Sequence, residues 1–205
     1  MIKKNNIILA SSSASRRKIM DATGITYTSL KPFANEEKLK KNFKGTTKKL
    51  ALMLAEKKAL SVSNKYNDCY VIGADQVLSF KGKVYNKPKT MKEALENFRL
   101  FRNKTHYLDS ATVISLNNKI IWRNEQSPKM KMRNFSDEFL KNYLKKVGNQ
   151  VTFSAGGYSI EKEGAQLFSK IDGDFFTIIG LPIIPLLEKL RKFDLLIDDI
   201  QRTFQ

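Results

Sequence analysis

Apolar residues along the chain fall alternately into short runs and helical stripes, and that alternation predicts the architecture. Ile7-Ile8-Leu9-Ala10 is a continuous apolar run, the pattern of a buried strand. Ser11-Ser12-Ser13 follows, then an amphipathic stretch closed by Gly24, which suits the left-handed position after a helix. A second helix runs from Thr46 or Thr47 to about Ser63, with Leu50, Leu54 and Ala55 on one face. Tyr70 to Ala74 reads as a strand with Asp75 at its end. Val77 to Phe80 and Val84-Tyr85 flank Lys81-Gly82 in the pattern of a tight hairpin. Thr90, with Glu93 three residues on, has the form of a capping box opening a helix through about Phe101.

Two longer strands are expected next, Tyr107 to Leu116 and Ile120 to Asn124, joined through Asn117-Asn118. Ser136 with Asp137 and Glu138 behind it starts a helix that Gly148 closes. Gly156-Gly157 and Gly164 punctuate an expected strand pair leading to Asp172-Gly173-Asp174. The last helix begins near Ile183, takes Pro185 in its first turn and runs to about Phe193. Alternating strands and helices with hairpins between them predict an α/β fold, a mixed twisted sheet with flanking helices. With no repeat, linker or low-complexity tract, residues 1–205 read as a single domain.

Composition narrows the class. Hydrophobic residues at 41% and charged residues at 28% are those of an ordinary globular chain, which excludes fibrous and wholly disordered classes. Cys69 is the lone cysteine, so no internal disulfide forms. The longest apolar run, Ile178 to Leu187, is too short for a membrane span and is interrupted by Gly180, Pro182 and Pro185. With no signal-like N-terminus either, the expected location is the cytoplasm, away from membranes. The net charge of +17 attracts polyanions, nucleic acid or phosphorylated metabolites, although spread lysines on solvated faces give the same number.

Chemistry-bearing residues fall in a few places. Ser11, Ser13, Arg16 and Arg17 stand where a strand passes into a helix, and there helix N–H groups, hydroxyls and guanidiniums make an anion site. A Ser N-cap followed by two solvated arginines is the alternative. Asp75, beside the small residues Gly73 and Ala74, sits where α/β proteins place ligands; it reads as a metal ligand, a general base or a turn Asp. Lys87-Pro88 puts a cation on a rigid turn. Lys58 lies near the apolar face of its helix, where a surface lysine is the local reading, and Glu36 and Glu37 fall in a loop. His106 is the only histidine, which excludes His-rich metal sites, and Cys69 reads as a buried small residue. No zinc-finger spacing or RNA-recognition signature accompanies the charge, so no stable nucleic-acid partner is expected.

In order and spacing these pieces resemble one family, the Maf nucleoside triphosphate pyrophosphatases. The resemblance is carried by Leu9-Ala10-Ser11-Ser12-Ser13-Ala14-Ser15-Arg16-Arg17, Glu36, Glu56-Lys57-Lys58-Ala59, Ile72-Gly73-Ala74-Asp75-Gln76 and Lys87-Pro88. Ile171-Asp172-Gly173-Asp174 and Ile179-Gly180-Leu181-Pro182 complete it. It implies an elongated, two-lobed fold like that of the inosine triphosphatases, with a central cleft. It also implies a hydrolase acting on acid anhydrides, cleaving a nucleoside triphosphate to monophosphate and pyrophosphate with Mg or Mn. By that resemblance Asp75 is the proton acceptor and, with Glu36, the metal-side carboxylate. Lys58 and Lys87 are further cleft residues, and Ser11, Ser13, Arg16 and Arg17 belong to the phosphate loop. Ser15, Gln76 and Glu161 fall at specificity positions. Gln76 and Glu161 resemble the subfamily that cleaves 7-methyl-GTP, whereas Ala14 replaces the family's proline and Ser15 matches neither subfamily. A homodimer is the assembly to look for. The rival readings are a basic nucleic-acid-binding module and a septum-inhibiting interaction protein without catalysis, the latter an association reported for the family.

Overall fold

The computed structural model describes residues 7–196. In chain order the first half comprises β1 (Ile7–Ala10), α1 (Ala14–Ala22), β2 (Thr28–Leu30), α2 (Glu36–Asn42), α3 (Thr47–Ser63), β3 (Tyr70–Phe80) and β4 (Lys83–Tyr85). The second half comprises α4 (Met91–Phe101), β5 (Thr105–Leu116), β6 (Lys119–Gln126), β7 (Lys129–Met132), α5 (Asp137–Val147), β8 (Phe168–Asp172), α6 (Phe175–Ile179) and α7 (Ile183–Lys192). Eight strands form one mixed sheet in the order β2-β1-β3-β5-β7-β8, with β4 beside β3 and β6 beside β5. The α/β class and the flanking helices expected from the sequence are present.

β3 and β5 form an antiparallel spine, and each carries different neighbours at its two ends. At one end β1 pairs parallel with Tyr70 to Gly73, and β6 pairs with Ser110 to Leu116. At the other, β4 pairs with Leu78 to Phe80, and β7 with Thr105 to Tyr107. The cores divide the same way. Around the first end, alternate strand residues face opposite helices. Ile7, Leu9, Ile72 and Ile114 pack on α1 and α7, while Ile8, Ala10, Val71 and Val113 pack on α3. The second end has its own core of Leu78, Phe98, Phe101, Leu108, Met130 and Leu140.

Several expectations need correction. β3 is continuous, so Asp75 stands mid-strand rather than at a strand end; β5 pairs along it without a break from Val71 to Ser79. Glu36 and Glu37 open a helix instead of lying in a loop, because Asn35 caps it through Lys38 N and two acids suit its N-terminal turn. The expected strand pair around the glycines is replaced by two 3-10 turns, Gly148–Thr152 and Glu163–Leu167, and only β8 is a strand. Gly164 explains part of this: a Cβ there would meet Ser159 O at 2.4 Å, so its turn is packed too tightly for a pleated strand. Cys69 is half-buried rather than buried. The helix at Thr90 is capped by its hydroxyl, but Glu93 reaches back to Lys89 N, one residue earlier than a capping box requires. β2, β7 and α6, each five residues or fewer, had no clear signal.

His106 is fully buried against Phe101, with Nε2 2.7 Å from the Tyr158 hydroxyl and Nδ1 without a partner among the described residues. Burial pushes its pKa from 6.5 down to about 3. The unfolded chain therefore binds a proton here below about pH 6.5 that the folded chain refuses. This contribution to stability is complete above pH 6.5 and declines as pH falls toward 3, by up to about 1.4 kcal/mol per pH unit. Urea melts of wild type and His106→Gln at pH 7.5, 6 and 5 check it. The variant should lack this part of the acid slope, and parallel slopes would refute the assignment.

Candidate active site

The gap between the two sets of flanking strands creates the cleft. β1 ends its pairing at Gly73 and β4 begins at Leu78, so residues 74–77 of β3 have a neighbour on one edge only among the described residues. A cavity of about 990 Å³ opens there, lined among others by Ser11, Ser13, Ser15, Arg16, Glu36, Lys58, Asp75, Gln76 and Lys87. These residues come from β1–α1, α2, α3, β3 and the turn after β4, far apart in sequence.

Two periodicities bring the charged centre together. Along β3, Val71, Gly73 and Asp75 share the face toward α3. On α3, Leu54, Ala55, Lys58, Ala59 and Val62 form the buried stripe. Gly73 lets these faces meet, since a Cβ there would lie 2.3 Å from Ala55 O and 2.8 Å from Ala59 Cβ. Lys58, 5% exposed, is therefore no surface lysine: its Nζ donates to Asp75 Oδ1 and lies 3.0 Å from Glu36 Oε1. Burial opposes ionisation of Glu36, but the Lys58 ammonium, its hydrogen bond, Lys40 and Arg16 outweigh it and hold that carboxyl below its ordinary value. Asp75 Oδ2 carries no hydrogen bond from the described residues.

The serine loop is both cap and cleft wall. Ser13 caps α1 by accepting from Arg16 N at 3.4 Å, and Ser11 Oγ accepts from Ser13 N at 3.1 Å. Arg16 Nε donates to Gly180 O at 2.8 Å, which fastens α1 to the turn after α6. Burial lowers the pKa of Arg16, while Asp75 and Glu36 favour its charged form. Arg17 is not among the residues lining the cavity; its Nη1 donates to Ser12 O at 3.1 Å.

A second cavity of about 90 Å³ continues from the cleft and shares Ser15, Gln76, Ser154, Ala155 and Ile179 with it. Glu161 and Tyr158 also line it, so Ser15, Gln76 and Glu161, the residues expected at specificity positions, border one pocket. Gln76 lies on the opposite face of β3 from Asp75. Its Nε2 donates to Ser110 Oγ at 2.9 Å, Thr177 O at 2.8 Å and Ile178 O at 3.3 Å. The amide nitrogen is thus committed to protein, while Oε1 is bonded to no described residue. Lys40, Lys41, Lys89 and Phe153 also line the cleft and were not singled out in the sequence. Lys40 and Lys41 had a signal, a basic run on the segment that carries Glu36, and Lys89 directly follows Lys87-Pro88. Phe153 had none.

Among the described residues no three His, Cys, Asp or Glu side chains gather as a metal cage. Glu36 and Asp75 nevertheless converge on one cationic centre, the donor set expected where a divalent ion shares its coordination between one or two carboxylates, substrate phosphates and water. The residues fit a metal that binds together with a phosphate chain.

Comparison with known proteins gives one answer. The family model described as "Maf-like protein" matches residues 6–193. A "7-methyl-GTP pyrophosphatase" of Bartonella quintana is 42% identical over 195 residues, covering 95% of this chain and 98% of its own. A protein of the same name from Rhizobium meliloti is 40% identical over 91% of this chain and 95% of its own. A "Nucleoside triphosphate pyrophosphatase" of Rhodospirillum rubrum is 37% identical over 93% and 96%.

Proposed function

The chain belongs to the Maf family, and from that premise we propose that it hydrolyses nucleoside triphosphates to monophosphate and pyrophosphate, with 7-methyl-GTP-like substrates preferred. The observation that carries this is the buried Asp75–Lys58 pair with the half-exposed Glu36 beside it, set in a cleft between a serine–arginine anion loop and a small pocket of mixed polar and apolar lining. Names borne by the relatives support the reaction class. The test is incubation with the common triphosphates and 7-methyl-GTP, with products separated by chromatography. Monophosphate and pyrophosphate are expected; diphosphate and orthophosphate, or no turnover, would overturn the reading.

In this mechanism the triphosphate lies along the cleft with its anionic tail among Ser11, Ser13, Arg16 and Lys87. Asp75 Oδ2 accepts a proton from the attacking water as the new O–P bond forms at the α-phosphorus. The anhydride bond to the β-phosphate breaks, and Arg16 and Lys87 stabilise the charge on the departing pyrophosphate. Lys58 orients Asp75 through Oδ1, leaving the other oxygen for the proton. Glu36 and Asp75 would hold the divalent ion, Mg or Mn, which when bound polarises the phosphoryl group and offsets its charge.

Base preference follows from the small pocket. With its nitrogen bound to Ser110, Thr177 and Ile178, Gln76 offers an acceptor, and Glu161 offers a second. Two acceptors suit the N1–H and N2 amino donors of guanine, while uracil and thymine present carbonyl oxygens that would face Glu161. Glu161 is exposed and Gln76 half-buried, so water softens such a mismatch, which is worth up to about tenfold in kcat/KM. Glu161→Gln combined with Gln76→Thr should move preference toward dTTP and UTP, measured across a substrate panel. A wild-type protein that already favours dTTP or UTP tenfold would contradict the assignment.

A further inference from the structure

Phe153 is the most exposed large apolar side chain among the described residues, at 70%, and it lines the active-site cleft. It stands immediately before Ser154 and Ala155, the residues shared between the cleft and the small pocket. Its backbone is held on both sides. Phe153 N donates to Gln150 O at 3.1 Å, and the preceding turn is anchored by the buried Val151 and by Thr152 Oγ1 on Asn149 O. After it, Ser154 Oγ donates to Tyr158 O at 2.8 Å. The next most exposed ring, Phe33, lies beneath Lys65, and Phe175 packs against Phe176, whereas no ring or cation contact engages Phe153 among the described residues. Phe153 thus presents an anchored backbone and an uncontacted ring in the cleft, next to the residues that join the cleft to the small pocket.

The geometry points to Phe153 as the stacking platform for the nucleobase, a specificity-determining residue whose hold is strongest on a purine carrying a positive ring charge. This rests on the proposed triphosphate reading and adds to it. Glu161 and Gln76 can engage only the edge of a base, and edge contacts alone leave both of its faces to solvent. An aromatic ring supplies the missing face. Methylation at N7 leaves the purine cationic, and a cation over an aromatic face gains electrostatically beyond ordinary stacking. Phe153 thereby offers a reason for a 7-methyl preference that hydrogen bonding to the guanine edge does not supply, since that edge is shared by unmodified GTP.

Four measurements test the proposal. Phe153→Ala should lower kcat/KM for 7-methyl-GTP about tenfold, the scale of losing one stacked base, and lower that for UTP less. Phe153→Tyr should retain activity, and inhibition by inorganic triphosphate should be the same in wild type and Phe153→Ala, because the polyphosphate contacts lie elsewhere. Phe153→Trp, read against the parent protein with Trp122 alone, should show saturable fluorescence quenching by 7-methyl-GMP. An unchanged 7-methyl-GTP rate in Phe153→Ala, equal losses for all triphosphates and for inorganic triphosphate, or absent quenching would overturn the platform. Failure of the underlying reading looks different: wild type would release no pyrophosphate from any triphosphate, while the quenching experiment still decides whether the base stacks.

Discussion

Asp75→Asn is expected to lower kcat by about 10²–10⁴-fold, the contribution of one positioned general base, while the protein stays folded. The exchange is nearly isosteric, and an amide oxygen still accepts from Lys58. The ammonium also keeps Glu36 at 3.0 Å, so no buried cation is left unpaired. Affinity for the triphosphate should change less than kcat, because the residues expected to grip its tail are untouched. Single-turnover rates with 7-methyl-GTP, alongside a urea melt, separate chemistry from stability. A variant with more than about a third of wild-type kcat would remove Asp75 from the proton transfer.

What could be read from the sequence was local, and what could not was the docking of one element on another. The runs at Ile7 to Ala10 and along β5, and the hairpin at Asn117-Asn118 with both residues at positive φ, are consequences of neighbouring residues and were readable. Lys58 was not. Judged within α3 alone, a lysine beside an apolar stripe belongs to the surface. It is buried because Gly73 lets β3 approach the helix and because Asp75 waits two residues further along the same strand face. Glu36 likewise gained its meaning only when Asn35 started a helix whose first residue reaches Lys58.

The resemblance to a known family named many of the residues that line the cleft but not the contacts they make. Gln76 stood as a base-reading amide, yet three partners on β5 and α6 commit its nitrogen and leave only an acceptor. Arg16 and Arg17 both stood at the expected anion site; only Arg16 lines the cleft, since on α1 adjacent residues point about 100° apart. Such distinctions depend on which face of an element meets the cavity, and that is settled by packing across the sheet.

Lys58→Met should be the most destabilising single change in the site, by about 3–5 kcal/mol, the cost of removing one partner from a buried ion pair. Asp75 is 5% exposed, and its Oδ1 would lose the only cation that touches it among the described residues, with Arg16 left as a more distant charge. Glu36 loses less, because its side chain is 41% exposed and water can replace the ammonium. The melting temperature should fall by roughly 6–20 °C for a chain of this size. If the penalty is the stranded carboxylate, then Lys58→Met combined with Asp75→Leu should recover much of the stability, since an apolar pair of similar volume can replace a buried ion pair at little cost. Denaturant melts of wild type, both single variants and the double variant close the cycle. A Lys58→Met protein within about 1 kcal/mol of wild type would mean that the pair is solvated and the cleft floor more open than its geometry implies.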